Sequence, residues 1–130
     1  MVVSLSAYIG TDTPAKLAVK QTAKDVVGGQ VNTSTAFVDF SAYTKIELVV
    51  KNQETGVILA TVDSVDEAAI FAVEDSYELV LRLGHIAGLV AGEIYELRLL
   101  GYNASDADDG EVLADWSSDP ETDTIVATAR

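Results

Sequence analysis

Apolar residues recur in steps of two along much of this chain, most clearly between Ser76 and Asn103. Tyr77, Leu79, Leu81 and Leu83 share one face against Glu78, Val80 and Arg82, and further on Tyr95, Leu97, Leu99 and Gly101 stand against Glu96, Arg98, Leu100 and Tyr102. Successive side chains of a strand point to opposite sides, so a period of two with one apolar face predicts a half-buried β-strand. The connection carries Gly84, Gly88 and Gly92, which suit a reversing turn. The two strands are expected at the centre of a sheet.

The same alternation sets Ile46, Leu48 and Val50 against Glu47, Val49 and Lys51, and Val57 to Val62 is expected to return as the hairpin partner across Asn52–Gly56. Ala15 to Thr22 alternates Leu17 and Val19 with Lys16 and Lys20. Thr35 to Phe40, Val112 to Trp116 and Thr124 to Ala129 are further expected strands, with Trp116 packing against the sheet. Lys24 to Ser34, holding Gly28-Gly29 and the polar Asn32-Thr33-Ser34, reads as a loop. Asp63 to Asp75 reads two ways: a capped helical turn from Ser64, or a short strand over Ala69–Val73, the reading preferred here. Val2, Val3 and Leu5 open the chain as a first edge strand, or as an arm over residues 1–14 that reaches a neighbouring subunit. Seven to nine short strands with turn signals between them predict one all-β domain, an antiparallel two-sheet sandwich.

Charge changes the picture more than composition does. With 21 acidic and 8 basic residues the chain carries −13, a field that repels nucleic acid and anionic membranes, so neither is an expected partner. The charge serves solubility or, alternatively, a basic partner or cations. Cysteine is absent, so disulfides and thiolate chemistry are excluded. No apolar run reaches the roughly 20 residues of a membrane span, and the start lacks the basic region of a secretory signal. The expectation is a chain soluble as made.

Candidate chemistry is sparse. His85 is the one histidine and lies in the glycine-rich connection, without a second histidine or a cysteine to share a metal. The acidic stretch Ala104–Glu111 has Ser105, Ala107 and Asp109 where a calcium loop ending at Gly110 would need three oxygen side chains, so it reads as a solvated turn. Gly28-Gly29 lacks the lysine and helix of a phosphate loop, and no nucleophile-elbow motif occurs. No enzyme activity, cofactor or metal is expected.

Two resemblances extend this reading. Leu89-Val90-Ala91-Gly92-Glu93-Ile94-Tyr95-Glu96-Leu97 resembles the tyrosine corner of immunoglobulin-like domains, with Leu97 where antibody domains carry their second cysteine. Phe37-Val38-Asp39-Phe40-Ser41, Thr44–Val50, Glu78–Gly84, Ala91–Tyr102 and Gly110–Trp116 follow one another as in small immunoglobulin-like structural domains of tailed bacteriophages. That resemblance covers about residues 35–116. It implies a non-enzymatic virion structural protein, most simply one that decorates or cements the capsid. Its implied partners are other virion proteins, the major capsid protein among them, in a homo-oligomer or larger assembly. A tail, neck, baseplate or fibre component is the alternative within that class. From another class, a carbohydrate- or receptor-binding module would need Tyr43, Tyr102 and Trp116 together and exposed. The residues expected at subunit contacts are Val2, Val3, Leu5, Tyr8, Ile125 and Val126 in the terminal segments.

Overall fold

A computed structural model describes residues 2–66, 70–103, 110–116 and 123–130. Eleven strands follow in chain order among them: β1 (Val2–Ala7), β2 (Ala15–Leu17), β3 (Lys20–Val27), β4 (Gln30–Phe37), β5 (Lys45–Asn52), β6 (Ile58–Asp63), β7 (Phe71–Asp75), β8 (Glu78–Leu81), β9 (Ile94–Tyr102), β10 (Glu111–Ala114) and β11 (Thr124–Ala129). Short 3-10 turns at Phe40–Ala42 and Leu83–His85 are the helical elements present there. The protein is all-β, and the described residues form three sheets: a six-stranded sheet ordered β1-β11-β9-β5-β6 with β10 also on β9, a three-stranded sheet ordered β2-β8-β7, and the two-stranded β3-β4.

The strand β9 is the axis of the large sheet. Tyr95 to Tyr102 pair with β5, from Lys45↔Tyr102 to Asn52↔Tyr95. Its other edge is shared by two strands in line. β10 pairs with Leu99–Gly101 and β11 with Ile94–Leu97, both antiparallel, so the two lie in line along this edge. Alternation works as the sequence predicts. Tyr95, Leu97 and Leu99 on β9 and Ile46, Leu48 and Val50 on β5 are buried, whereas Glu96, Arg98, Leu100 and Tyr102 face the other way and stay partly open.

The inner residues of the large sheet and Leu17, Phe71, Leu79 and Leu81 of the three-stranded sheet belong to one hydrophobic cluster. Each fully buried leucine or aromatic there contributes on the order of 1.5–3 kcal/mol.

Several expectations need correction. The alternating strands on either side of the glycine-rich connection do not share a sheet: β8 is the middle of the three-stranded sheet and β9 lies in the six-stranded one, so residues 82–93 carry the chain from one to the other. Both strands have one apolar face, and that face needs a covering layer, which the other sheet supplies. The strand expected over Ala15–Thr22 breaks after Leu17. Leu17 and Val19 are both buried, but beyond Val19 the backbone leaves β8 and exchanges hydrogen bonds with Asp123: Lys20 N–H donates to Asp123 Oδ2 (2.9 Å) and Asp123 N–H to the Lys20 carbonyl (3.3 Å). Of the two readings of Asp63–Asp75, the strand holds as β7, shifted to Phe71–Asp75; residues 67–69 lie outside the described residues. At Asp63 the carboxylate accepts from Val65 and Asp66 N–H, an Asx turn; Glu67, the partner of the expected Ser64 capping box, lies outside the described residues.

The pairing is not antiparallel throughout. β1 runs parallel to β11 in unbroken register, Val2↔Thr124 to Ala7↔Ala129. The N-terminal segment is thus an edge strand of its own chain, with Val3, Leu5 and Ala7 on the core side beside Ile125, Ala127 and Ala129. The first and last strands run side by side, and an edge of exposed amide and carbonyl groups accepts either direction.

Candidate interaction surface

The residues 20–37 form an arm. β3 and β4 pair with each other over eight positions, Lys20↔Phe37 to Val27↔Gln30, and among the described residues with no other strand. Gly28 and Gly29 close it with φ of 60° and 80°, the two consecutive left-handed positions that a two-residue hairpin turn requires. Reading Lys24–Ser34 as a loop is thereby corrected. Among the described residues no other strand covers either face of this hairpin, so hydrophobic alternation, the mark of a half-buried strand, is absent. The signal that marks it is Gly-Gly between two valine-bearing segments of equal length.

The root of the arm is tied down. Beside the Asp123 bonds, Val38 N–H donates to the Val19 carbonyl at 2.8 Å, and Gln21 Nε2 donates to the Val112 carbonyl at 3.2 Å. Register places Lys20, Thr22, Val26, Val31, Thr35 and Phe37 on one face. The Thr22 and Thr35 hydroxyls lie 3.1 Å apart, and Lys20 Nζ stands 5.0 Å above the Phe37 ring. The tip is apolar and open: Val26, Val27 and Val31 are 71%, 65% and 64% exposed. At eight residues a side the arm is roughly 27 Å long. A two-stranded hairpin is marginal alone in water, so covering this one yields a free-energy gain.

Other clusters offer less. On the outer face of the large sheet Trp116 is stacked by Lys51 Nζ at 4.2 Å and the Arg98 guanidinium at 5.3 Å, and Lys45 lies 4.7 Å over Tyr102. Trp116 thus packs on the sheet as expected, through cations. Tyr43 instead packs against Gly101, on the inner side, so the three aromatics a sugar site would need are not brought together. The Tyr43 hydroxyl donates to Glu111 at 2.8 Å. Burial first, then that hydrogen bond and the negative charges of Glu111 and Asp39, push its pKa up to about 12. An unfolded tyrosine titrates near 10, so the stability this contact lends is present below about pH 10 and lost as pH rises through about 12. In an alkaline absorbance titration one phenol is expected to ionise late. Glu111→Gln lowers that value without returning it to 10, because burial, the larger cause, remains. His85 pairs with Asp12 at the surface. Among the described residues no group of three or more histidine or carboxylate side chains is placed to hold a metal, and the acidic stretch 104–109 lies outside them.

The terminal residues expected at contacts separate. Ile125 is fully buried in its own core, a correction: the inward parity of β11 makes it a core residue. Val3 and Leu5 pack against that core, and Val126 is half-buried on the outer face. Val2 and Tyr8 are exposed. The valines of the arm were not singled out by sequence, since an uncovered hairpin lacks an apolar face to find.

Comparison with protein-family models matches none of them, and comparison with curated proteins gives no match.

Proposed function

We propose that the chain is an immunoglobulin-like β-sandwich acting as a non-enzymatic virion structural protein, decorating or cementing a bacteriophage capsid through contacts with neighbouring virion subunits. The observation that carries the reading is the arm: an open, valine-tipped hairpin rooted by hydrogen bonds in an acidic β body is built for contact with another protein.

Strand order supports the immunoglobulin-like architecture. β2-β8-β7 corresponds to the B-E-D order of such domains, β5-β9-β11 to C-F-G, and β6 to the added strand of variable-type domains. The corner supports it too. Tyr95 is buried near the start of β9, and its hydroxyl accepts the Val90 N–H, five residues upstream, at 2.9 Å. The phage role rests on the sequence resemblance over residues 35–116, and the acidic body suits a particle surface that must stay dispersed.

Quantitative mass spectrometry of virions purified from the source of this protein tests the reading. A copy number comparable to the major shell protein supports decoration, and a few copies per particle moves the protein to the tail, neck, baseplate or fibre. Absence from the particle refutes the virion role.

A further inference from the structure

The strand edges of the two larger sheets are not alike. An open edge offers unpaired amide and carbonyl groups to any other strand, and brevity, charge, proline or a bulge is what normally blunts it. Among the described residues four edges carry such guards. β2 is three residues long, follows Pro14 and has Lys16 exposed. β7 and β10 each slip register, and they carry Asp75 and Glu111. β6 is bulged at Leu59, since Ala60 and Ile58 meet successive residues of β5, and it ends on Asp63. β1 has no such guard: Val2–Ala7 is six residues without charge or proline, in unbroken register with β11.

Its outward backbone groups follow from the ladder. Arg130 N–H donates to the Ala7 carbonyl at 2.8 Å and Ile9 N–H to the Arg130 carbonyl at 3.1 Å. Alternate residues of a strand direct both their groups to the same side. Val3, Leu5 and Ala7 therefore serve β11, and Val2, Ser4 and Ser6 turn theirs to the open edge. Val3 and Leu5 pack on the core yet stay half-buried, although Ile125 and Ala127 beside them on β11 are 0% and 2% exposed. The core is unfinished along this edge.

We infer that β1 pairs antiparallel with β1 of a second copy about a two-fold axis at Ser4, joining the two large sheets into one. A strand that fits this edge must be uncharged and open, with apolar side chains on the core side and polar ones outside. β1 meets each requirement against its own reverse: Ser4 falls opposite Ser4, Val2 opposite Ser6, and Val3 opposite Leu5 over the core. That register keeps inward residues beside inward ones, which a slip by one residue would not. It also joins outward-turned backbone groups to one another, since Val2, Ser4 and Ser6 pair only among themselves. The pairing stops after Ser6, because the Tyr8 carbonyl already accepts from the Thr11 N–H and hydroxyl. Two chains of −13 repel least where they meet without carboxylates. Arg130 Nε, donating to the Ser6 hydroxyl at 3.2 Å, adds a cation beside the pair. An unrelated strand would have to supply this pattern, whereas a second copy supplies it by symmetry. The inference goes beyond the virion role and depends neither on that role nor on the arm.

The chain has no cysteine, so introduced ones report the register directly. With a short thiol-to-thiol cross-linker, Ser4→Cys is expected to give dimers several-fold above Ser6→Cys, which lies off the axis. Ser6→Cys mixed with Val2→Cys, the two distinguishable by mass, is expected to link across the pair. Ser6→Cys linking to itself as readily as Ser4→Cys does would overturn the inference. Sedimentation equilibrium is expected to show the unmodified chain as a dimer. Ser4→Pro removes an N–H that its own sheet does not use, and Ser4→Lys sets like charges opposite each other. Each is expected to weaken the dimer at least about tenfold, with the melting temperature of the monomer unchanged. A dimer indifferent to both substitutions overturns the inference. A concentration-independent monomer, with or without a foreign strand bound, also overturns it and leaves the virion role to its own test. A Ser4-centred dimer of a chain absent from virions does the reverse.

Discussion

Leu48→Ala is expected to lower the free energy of unfolding by about 2–5 kcal/mol, the range for removing a fully buried leucine from a packed core. Leu48 is completely buried on β5, between Val62 of β6 and Leu99 of β9, so the cavity would open in the middle of the large sheet, where backbone pairing on both sides resists collapse. Glu47→Ala, one residue away on the outer face, is expected to change stability by no more than about 0.5 kcal/mol. Urea denaturation of the two variants beside the unmodified chain makes the comparison. Equal effects would mean that the inner and outer faces of β5 are wrongly assigned.

Gly84→Ala is the second large effect. A β-carbon at Gly84 would stand 2.0 Å from the Tyr8 carbonyl oxygen and 2.8 Å from that of Thr11. Both are backbone atoms, and the loop that holds them is fixed at each end: Gly10 N–H donates to the Gly84 carbonyl at 2.9 Å, and Arg130 N–H to the Ala7 carbonyl at 2.8 Å. The φ of Gly84 is not left-handed, so the cost is one of space alone. Displacing the loop is expected to cost about 1–3 kcal/mol, read as a fall of several degrees in melting temperature. Because residues 8–11 follow β1 directly, the variant is also expected to be cut faster by protease near its N-terminus. Unchanged melting and unchanged cleavage would mean that the loop is not seated on Gly84 and that β1 is not held there.

These two variants probe different layers of what can be read from a linear chain. The parity of β5 was legible because Ile46, Leu48 and Val50 are separated by charged or outward residues, a local pattern that backbone geometry converts directly into two faces. The seat of the N-terminal loop on Gly84 was not, since a glycine in a connection looks the same whether it turns the chain or makes room for a neighbour. The tyrosine corner lies between the two. Its residue spacing stands in the sequence, but the hydrogen bond from Val90 to the Tyr95 hydroxyl exists only once the connection folds over the start of β9.

The proposed contact surface was the least legible part. Thr124–Ala129 and Val2–Tyr8 read as contact segments because they are terminal, β-prone and largely apolar, yet in this fold the two strands pair with each other and place Ile125 in the core. The arm is hidden in the sequence for the opposite reason. Its strands mix valine and alanine with lysine, glutamine and threonine on both faces, and with no layer covering them among the described residues they need no apolar face.

By itself the sequence determined the all-β class, the inward and outward parity of β5 and β9, and the sparse equipment for chemistry, because each follows from neighbours along the chain or from counting. Tertiary structure alone decided which strands meet: β8 and β9 in different sheets, β10 and β11 in line on one edge of β9, β1 parallel to β11, and β3 with β4 standing clear. Every strand edge offers the same amide and carbonyl groups, so pairing is settled by which distant apolar faces cover one another, and no local pattern carries that information.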